Sequence, residues 1–595
     1  MCGIHGFSWK SKKNIRRMIS AAESRGPDGS GIYVDRNITM GHNLLAITES
    51  PNLSAQPIQS GCHVLCFNGE IYNYKELRDD LKSCGHSFET DSDTEVLLKA
   101  ITEWGDSCID MLDGMFAIAH YNKAENTLLL ARDSSGAKPL YWSKNENGVI
   151  FSSSIKSLFS AGIDRRLDMH GYSIYEKFGY IPGTKTLIKN VYKLYPGQII
   201  KFDLESCKEI YNKCIEFKYE NFDIEEVSHK EFRQQVYNSV EKCLMGNREI
   251  GLYLSGGLDS NMILHEMSKI IEKPRTFTTR FQTSSESWNG ANSDADVALE
   301  SSKKYNTEHT ELLITVDDFL DAIDDCSIAL EEPRASKNVT AYYLLNKELS
   351  RQGITVTLSG DGGDEVLTGY RRHNNISRIG QIEGIGSYWP LCDCKPRERA
   401  SGKCICGYRD IETVTKSKYF EQYIQEWFPS YNFKDDRVNN QLYFETMLFL
   451  AEDFLIRNDK LGMNFSMEAR FPFTTKAFKQ YALSIPSRLK YKYNATKSEM
   501  RNATNMKLIP RGAYRGLLPD SVINKNKSGW SVSKDFLVSQ KVKNEYVRPT
   551  LSDEYYPEIN PLFEGQDFTI GKKVSSYNIK VMNFKVWAKN FKIKL

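Results

Sequence analysis

Short apolar segments of β-forming residues, separated by helical stretches, occupy the first third of this chain. The pattern predicts strands over residues 31–34, 62–67, 116–121 and 127–131, the last two as a pair, and an apolar-faced helix over residues 95–101. We therefore expect an N-terminal domain of mixed α and β structure.

The pattern changes after a charged stretch around residues 216–229. Apolar residues recur at helical spacing over residues 232–244, and residues 250–254 then predict a buried strand. That strand leads directly into a glycine-rich turn at residues 255–260 and a further helix, and a second buried strand is predicted over residues 354–358. A strand, a glycine-rich turn and a helix in succession direct backbone N–H groups at an anion.

Length and composition limit the class of protein. At 595 residues the chain is too long for one core and predicts roughly two to four domains, and 40% hydrophobic with 26% charged residues is ordinary for a soluble protein. A net charge of +2 gives no reason to expect a nucleic acid or an acidic membrane as partner, and no apolar run reaches the length of a bilayer span. Thirteen cysteines without an export signal predict free thiols and a cytoplasmic location.

The second residue is a cysteine, in Met1-Cys2-Gly3-Ile4. Removal of Met1, which the small side chain of Cys2 permits, would leave a thiol and a free α-amine on one residue. An α-amine titrates near about pH 8, so it can take the thiol proton and later give it to a leaving group. An incidental cysteine is the alternative, and the motifs that follow argue against it.

Three segments follow Cys2 in order: Arg25-Gly26-Pro27-Asp28, Asn68-Gly69-Glu70, and Ser255-Gly256-Gly257-Leu258-Asp259-Ser260. With Cys2 they resemble the glutamine-dependent asparagine synthetase family, and the resemblance extends to about Trp530. It implies a glutaminase domain over residues 1–205, a four-layer αββα sandwich of the N-terminal nucleophile (Ntn) hydrolase type. It also implies an α/β ATP pyrophosphatase domain with a parallel sheet over residues 225–595.

The resemblance implies amide cleavage in the first domain, in which an attacking thiolate builds negative charge on the carbonyl oxygen. The resemblance implies that the Asn68 side chain and the Gly69 backbone N–H form the oxyanion hole, and that Asp93 with Glu70 holds the α-ammonium of glutamine. Gly69 has no Cβ, which permits close backbone approach. Taken alone, Asn68-Gly69 is also typical of a hairpin turn.

One position departs from the family. The segment that usually contains an arginine for the α-carboxylate of glutamine is His42-Asn43-Leu44-Leu45 here. Leu44 cannot bind a carboxylate, and loss of that contact would weaken glutamine binding by roughly 1.5–3 kcal/mol unless another group replaces it. Arg25 is the candidate replacement, and the alternative is inefficient use of glutamine.

The glycine-rich turn lacks the Gly-Lys-Ser/Thr ending of a γ-phosphate loop, and it resembles the pyrophosphate loop of enzymes that cleave ATP to AMP. A second strand ends in an acidic turn at residues 359–365. The resemblance implies that ATP and its pyrophosphate contact both turns and the last basic motif, at Leu254, Ser255, Gly256, Gly257, Asp259, Ser260, Ser359, Gly360 and Lys527.

Acidic residues beside a polyphosphate would repel it without a metal ion between them, so Asp259 and Asp364 are the candidate Mg²⁺ ligands. Asp361 stands at the acceptor position of the family and is the candidate to assist deprotonation of the attacking amine. Lys497 matches a lysine that contacts phosphate as charge develops on it. The alternative for the acidic turn is a solvated surface turn.

A cysteine cluster lies in an insertion, about residues 390–408, that does not belong to the resemblance. It consists of Cys392, Cys394, Cys404 and Cys406. Four thiolates suit a structural Zn²⁺, although Cys-x-Cys is a tighter spacing than the common Cys-x₂-Cys. Free or redox-active thiols are the alternative.

Together these features predict a two-site amidotransferase whose partners are small molecules: glutamine, Mg·ATP and a carboxylate acceptor. Ammonia released at Cys2 would pass internally to an acyl-adenylate, giving an amide, AMP and pyrophosphate. Aspartate is the default acceptor. Leu44, Lys337 and Arg280, the last of which stands where a glycine is usual, keep open a different carboxylate, such as a uronic acid of a surface polysaccharide or a natural-product precursor.

The alternative to an enzyme is a non-catalytic binding or regulatory protein that kept the fold. The intact pyrophosphate loop and both acidic partners argue against it. Relatives are often dimers, so a homodimer is one expectation, and the oligomeric state stays open.

Overall fold

The computed structural model of the chain describes residues 2–282, 292–336, 338–370, 436–492, 505–525, 540–563 and 576–595, together with residues 373 and 566 and without residues 49, 52–53, 216, 218, 220–221 and 224–225. Within this part of the chain, no helix is long and apolar enough to cross a membrane.

The N-terminal part contains two antiparallel sheets. Its strands are β1 Gly3–Phe7, β2 Gly29–Val34, β3 Thr39–Leu44, β4 Ile58–Ser60, β5 His63–Ile71, β6 Gly114–Asn122, β7 Thr127–Arg132, β8 Tyr141–Asn145, β9 Gly148–Ser152, β10 Val191–Lys193, β11 Gln198–Asp203 and β12 Glu209–Cys214. Its helices are α1 Lys12–Ala21, α2 Tyr74–Ser83, α3 Asp93–Trp104, α4 Ile155–Ser160 and α5 Met169–Phe178, with 3₁₀ turns at Glu23–Arg25 and Gly105–Met111. The first sheet has the order β10-β8-β9-β1-β3-β2 and the second β12-β11-β7-β6-β5-β4.

Both faces of these sheets are apolar, which places them in the middle of the domain. In β5, Val64 and Cys66 pack toward the first sheet, while Leu65 and Phe67 join the core that α2 and α3 cover. This follows from the alternation of side chains along a strand. On the other side, α1 and α4 pack on the first sheet. The predicted four-layer αββα sandwich is confirmed.

The C-terminal part is built on a parallel sheet. Its strands are β13 Ile250–Tyr253, β14 Arg275–Phe281, β15 Glu308–Ile314, β16 Val356–Leu358 and β17 Glu468–Arg470. Its helices are α6 His229–Cys243, α7 Leu258–Met267, α8 Ser293–Lys304, α9 Val316–Asp321, α10 Ile323–Leu330, α11 Val339–Arg351, α12 Gly363–Leu367, α13 Arg437–Glu445, α14 Ile456–Met463, α15 Lys476–Ser484, α16 Ser487–Lys490, α17 Leu508–Tyr514, α18 Asp520–Ile523, α19 Gln540–Val542, α20 Arg548–Leu551 and α21 Ser576–Phe591. This part also contains π-helical segments at Thr446–Leu455 and Lys543–Val547, and 3₁₀ helices at Pro472–Thr474 and Pro557–Phe563.

The strand order of this sheet brings the two predicted turns together. The order is β15-β14-β13-β16-β17, and β13 pairs in parallel with β16 in the register Ile250↔Val356 to Leu252↔Leu358. The order therefore reverses at β13, and β16 lies on its free side. In open α/β sheets, ligands bind at the carboxyl ends of the strands where the order reverses. The predicted α/β domain with a parallel sheet is confirmed.

Helix α14 lies at the boundary between the two halves. It continues α13 through the π-helical segment Thr446–Leu455, whose backbone stays right-handed at both junctions. Its eight residues are all buried. Because π-helical segments widen a helix locally and often occur near functional sites, this segment fits a helix that faces a cavity.

The C-terminal helix α21 packs on both halves. Phe584 lies 4.9 Å from Tyr172 of α5, measured between ring centroids, and Trp587 Nε1 donates to the Glu331 carbonyl over 2.8 Å. The end of the chain therefore holds the sandwich against the parallel-sheet domain.

Candidate active sites

Cys2 lies buried at the start of β1. Its backbone nitrogen, which becomes the α-amine once Met1 is removed, donates to Asn68 Oδ1 over 2.9 Å. Asn68 is also buried, and its Nδ2 has no hydrogen-bond partner among the described residues. Because a buried amide donor without a partner is costly, this arrangement suits a ligand oxygen beside Cys2. Burial raises the pKa of the Cys2 thiol, so attack requires a nearby base.

Gly69 follows Asn68 inside β5, so the hairpin-turn alternative for this dipeptide is wrong. Its φ is 155°, and any side chain there would overlap the Met115 carbonyl of β6. Only glycine fits this close contact between neighbouring strands without strain.

An acidic cluster lies next to this dipeptide. Asp93 Oδ2 accepts the Ile71 N–H over 2.9 Å, and burial raises the pKa of Asp93 to about 6. Burial, with the nearby charge of Glu468, raises the pKa of Glu70 to about 8. Arg470 Nη2 lies 3.4 Å from Glu70 Oε1, and Arg470 Nε donates to Glu468 over 2.5 Å. Residues of β17, in the C-terminal half, therefore complete the cluster.

Arg25 is engaged on both sides of its guanidinium. Nε donates to the Cys2 carbonyl over 3.2 Å, and Nη1 and Nη2 donate to the two carboxylate oxygens of Asp459 over 2.9 and 3.4 Å. Leu44 is buried in apolar contact with Cys2. The structure therefore brings Arg25 to Cys2, with its guanidinium already paired to a carboxylate of the protein.

The turn after β13 folds back on itself. Ser255 Oγ accepts the Gly257 N–H over 3.1 Å, and Ser260 Oγ accepts the Ser255 N–H over 3.1 Å. A side chain at Gly256 would meet the Lys525 ammonium. Gly257 then caps α7, whose first N–H groups point toward the turn.

This turn lines a cavity of about 410 Å³ that the acidic turn also lines. The predicted residues that line it are Leu254, Ser255, Gly257, Asp259, Ser260, Ser359, Gly360, Asp361 and Asp364. The strand Phe277–Thr279 of β14 borders it as well. The acidic turn is therefore part of a cavity wall, and its alternative as a solvated surface turn is wrong.

Asp361 is held inside this cavity by two donors. Ser359 Oγ and Asn458 Nδ2 donate to its Oδ2 over 2.8 and 2.5 Å. Burial raises the pKa of Asp361. Asn458, which the sequence did not single out, is the residue before Asp459 on α14.

Asp259 and Asp364 converge on one cation. Lys507 Nζ lies 2.5 Å from a carboxylate oxygen of each. Two carboxylates that share a cation position fit Mg²⁺, which takes one or two carboxylates together with phosphate oxygens and water. Lys507 lies at the N-terminus of α17 with a φ of 54°, an uncommon value for a residue other than glycine. Sequence reasoning missed it, because it is one of several lysines in a basic stretch.

Several predicted positions lie outside the described residues: Lys337, Lys497, Lys527, Cys392, Cys394, Cys404 and Cys406. Arg280 is described and does not line the cavity. Its Nε and Nη2 donate to Glu311 over 2.6 and 2.9 Å, and Nη2 also donates to Asp296 over 2.8 Å. The unusual arginine on β14 therefore pairs with β15 and α8.

Comparison with known proteins divides the chain into the same N-terminal and C-terminal parts. The glutamine amidotransferase domain model matches residues 1–212, and the asparagine synthase model matches residues 231–569. The chain belongs to the asparagine synthase family. It is a carbon–nitrogen ligase that combines this domain with a glutamine amidotransferase domain, and it uses ATP as the family does.

Its relatives are similar over most or much of their length. Asparagine synthetase [glutamine-hydrolyzing] 1 of Bacillus subtilis is 29% identical over 99% of this chain and 96% of its own. Asparagine synthetase [glutamine-hydrolyzing] 3 of the same organism is 26% identical over 89% and 86%. Asparagine synthetase B of Escherichia coli is 31% identical over 62% of this chain and 65% of its own. These similarities agree with the family assignment and do not by themselves assign the acceptor carboxylate.

Proposed function

We propose that this enzyme transfers the amide nitrogen of glutamine to the side-chain carboxylate of aspartate, giving asparagine, glutamate, AMP and pyrophosphate. The observation that supports this best is the position of α14, because one helix reaches both candidate sites. Asp459 pairs with Arg25, which holds the Cys2 carbonyl, and the preceding residue, Asn458, holds Asp361 in the cavity. Because the similar proteins of Bacillus subtilis are asparagine synthetases by name, aspartate is the first acceptor to test.

At the first site, the α-amine of Cys2 takes the thiol proton and the thiolate attacks the carboxamide carbon of glutamine. Asn68 Nδ2 and the Gly69 N–H stabilise the resulting oxyanion. The amine then returns its proton to the leaving nitrogen, ammonia departs, and water hydrolyses the thioester to glutamate. Asp93 and Glu70 bind the α-ammonium of glutamine. We assign Arg25 to the positioning of Cys2, because its donors already have partners.

At the second site, an aspartate carboxylate oxygen attacks the α-phosphorus of ATP and pyrophosphate leaves. Ammonia attacks the acyl carbon of the adenylate and AMP departs. Asp361 accepts a proton from the attacking nitrogen, a role that its raised pKa favours. Lys507 contacts the leaving pyrophosphate. Asp259 and Asp364 would hold Mg²⁺, which supplies positive charge beside the phosphates.

Ammonia has to pass between the sites without release to water, where it would be protonated and diluted. The charged residues at the boundary between the halves are buried and paired with one another, which supports an internal passage. They are Arg25, Arg132, Lys138, Lys193, Glu331, Glu452, Asp459 and Lys460.

The experiment that tests this function measures AMP release by the purified enzyme with Mg·ATP and glutamine, with and without aspartate. The expected result is AMP formation that depends on aspartate, with asparagine lost in Cys2→Ala and restored by ammonium. The proposal fails if aspartate gives no AMP. If a uronic acid does give AMP, the same mechanism acts on a different carboxylate.

We also propose that the chain divides into a glutaminase domain at residues 1–205 and a synthetase domain at residues 225–595, close to the two matched regions. A homodimer, a cytoplasmic location and a zinc site at the cysteine cluster stay predictions.

A further inference from the structure

The chain that leaves β3 runs directly past Cys2. Strands β1 and β3 pair side by side, which places Cys2 beside the end of β3, in apolar contact with Leu44 and Ala46. Burial raises the pKa of the Cys2 thiol, whereas the N-terminal amine and a hydrogen bond from the Leu45 backbone N–H lower it. Residues 44–48, which we call the thiol segment, therefore give a donor to the proposed nucleophile.

Two consecutive residues of the C-terminal half hold the thiol segment. Arg248 Nε donates to the Ala46 carbonyl over 2.7 Å. Asn247 donates from its backbone N–H to the Ile47 carbonyl and from Nδ2 to the Thr48 carbonyl, each over 3.0 Å. Three successive carbonyls of the thiol segment are therefore bound to this pair, which is distant from them in sequence.

Asp28 connects the same pair to the thiol segment a second time. Its Oδ2 accepts the Ala46 N–H over 2.9 Å and also accepts Arg248 Nη2 over 2.8 Å. The Asp28 backbone N–H donates to the Leu44 carbonyl over 3.0 Å. Arg248 therefore fixes Ala46 at its carbonyl directly and at its N–H through Asp28. Because these bonds involve charged groups, they are stronger than ordinary hydrogen bonds between neutral groups.

The apolar side chains of the thiol segment divide between the two halves of the enzyme. Leu45 and Ile47 pack with Val356 of β16 and Met463 of α14, while the alternate side chains contact Cys2. This follows from the alternation of side chains along an extended chain. A shift of the thiol segment on the C-terminal half would therefore also move it at the nucleophile.

We propose that Asn247 and Arg248 are positioning residues of the glutaminase site, which fix the thiol segment so that the Leu45 N–H faces the Cys2 sulfur. This inference rests on the proposed hydrolysis of glutamine at Cys2. The pair lies just before β13 and outside the motifs by which the chain resembles its family. A site of the N-terminal half is thus completed by residues that come after that half in sequence.

The test is Arg248→Met in the full chain, assayed for glutamine hydrolysis without ATP or an acceptor. The kcat should fall about 10-fold and the KM should stay within about twofold, as for weakening of one hydrogen bond to a thiolate that forms only during the reaction. Arg248→Lys, which keeps the charge and can still reach one of the two acceptors, should lie between. Adding Asn247→Ala to Arg248→Met should lower the kcat further, because the Thr48 carbonyl then loses its donor.

Alkylation of Cys2 by iodoacetamide, followed by mass spectrometry of the N-terminal peptide, gives a second readout without substrate. Its rate reports the thiolate and should fall together with the kcat in Arg248→Met. Since the side chain of Arg248 is partly exposed, the urea midpoint should stay near that of wild type. Asparagine formation from ammonium should be unchanged. The matched control is Arg351→Met, in an exposed pair on α11, which should behave as wild type in every assay.

Three results would overturn the inference while glutamine hydrolysis by the wild type stands. Arg248→Met could match Arg351→Met in both readouts, which would leave the pair with a structural role alone. The KM could rise with the kcat kept, which would place the effect on glutamine binding. Asparagine formation from ammonium could fall as far as glutamine hydrolysis, which would indicate general damage to the fold. Absence of glutamine hydrolysis in the wild type would instead overturn the proposed reaction at Cys2.

Discussion

Arg25 and Asp459 form a buried ion pair across the boundary between the two halves of the enzyme. Nη1 of Arg25 lies 2.9 Å from Oδ2 of Asp459, and the two side chains are 7% and 1% exposed. The same guanidinium holds the carbonyl of Cys2. The position of Cys2 therefore depends on a carboxylate of the C-terminal half.

Breaking this pair should destabilise the enzyme and impair transfer of nitrogen. Arg25→Met removes the hydrogen-bonded cation of the buried Asp459 carboxylate and leaves only Lys138, whose Nζ is 3.9 Å away. The loss of unfolding free energy should therefore be at most about 3–5 kcal/mol, the cost of a buried charge with no partner. Glutamine-dependent asparagine formation should fall further than ammonium-dependent formation, because Cys2 loses its support. Urea denaturation and the two activities check this.

The matched control for that variant is Arg248→Met, whose partly exposed pair with Asp28 should contribute about 1 kcal/mol or less. Arg25→Met combined with Asp459→Leu should recover part of the lost stability. Equal effects of the buried and the surface variant would contradict the interpretation.

Asn68→Ala should abolish most glutamine use and spare the synthetase reaction. The change removes the acceptor of the Cys2 nitrogen and the Nδ2 donor, which has no partner in the part of the chain that the structure describes. Loss of one oxyanion donor lowers kcat by about 10²- to 10³-fold. Steady-state glutamine hydrolysis measures the loss, and asparagine formation from ammonium should be unchanged. Asn145→Ala, at the exposed end of β8, should leave both rates unaltered; a comparable loss there would show that the effect of Asn68→Ala is not specific.

Lys507 and Lys497 can be distinguished by the same substitution. Lys507→Met removes the cation between Asp259 and Asp364 and should lower ATP–pyrophosphate exchange by about 10²-fold or more, as for loss of a preorganised charge at a reacting phosphate. Lys497→Met is the comparison that the sequence motif suggests. We expect the larger loss at Lys507, with glutamine hydrolysis retained in both. A loss confined to Lys497→Met would support the role that the sequence motif predicts for Lys497 and contradict the one proposed for Lys507.

Glu70 should make the enzyme less stable as the pH rises. Burial and Glu468 raise its pKa in the folded state to about 8, above its value of about 4.5 in the unfolded chain. Between those values the folded state keeps a proton that the unfolded state has lost, so the free energy of unfolding falls as the pH rises.

Glu70→Gln removes this titration, so the variant should gain stability relative to wild type between about pH 5 and 8. Urea denaturation across that range gives the difference. Glu146→Gln, on an exposed turn, is the control and should differ from wild type by a constant amount. A constant difference for Glu70→Gln as well would contradict the raised pKa.

Much of the fold was predictable because local patterns determined it. The predicted strands 31–34, 116–121 and 127–131 lie inside β2, β6 and β7, and the predicted strand 62–67 overlaps the first half of β5. The strand–turn–helix unit at residues 250–264 is β13, its turn and α7. The Asn68-Gly69 dipeptide was ambiguous locally, since the same residues suit a hairpin and a close inter-strand contact. Pairing with β6 decided it, through the Met115 carbonyl that leaves no room for a side chain.

Local patterns in the sequence predicted the strands and the two turns that line the cavity, while the resemblance to the family implied the αββα and parallel-sheet architecture and the proposed nucleophile Cys2. These depend on alternation, glycine positions and short motifs, which are local properties of the chain. The contacts of Arg25, Arg457, Asp459 and Lys507 could not be predicted from the sequence and depend on the tertiary structure. Each acts through a partner that is distant in sequence, and the direction of a long charged side chain depends on which carboxylate, ring or cavity the fold places within its reach.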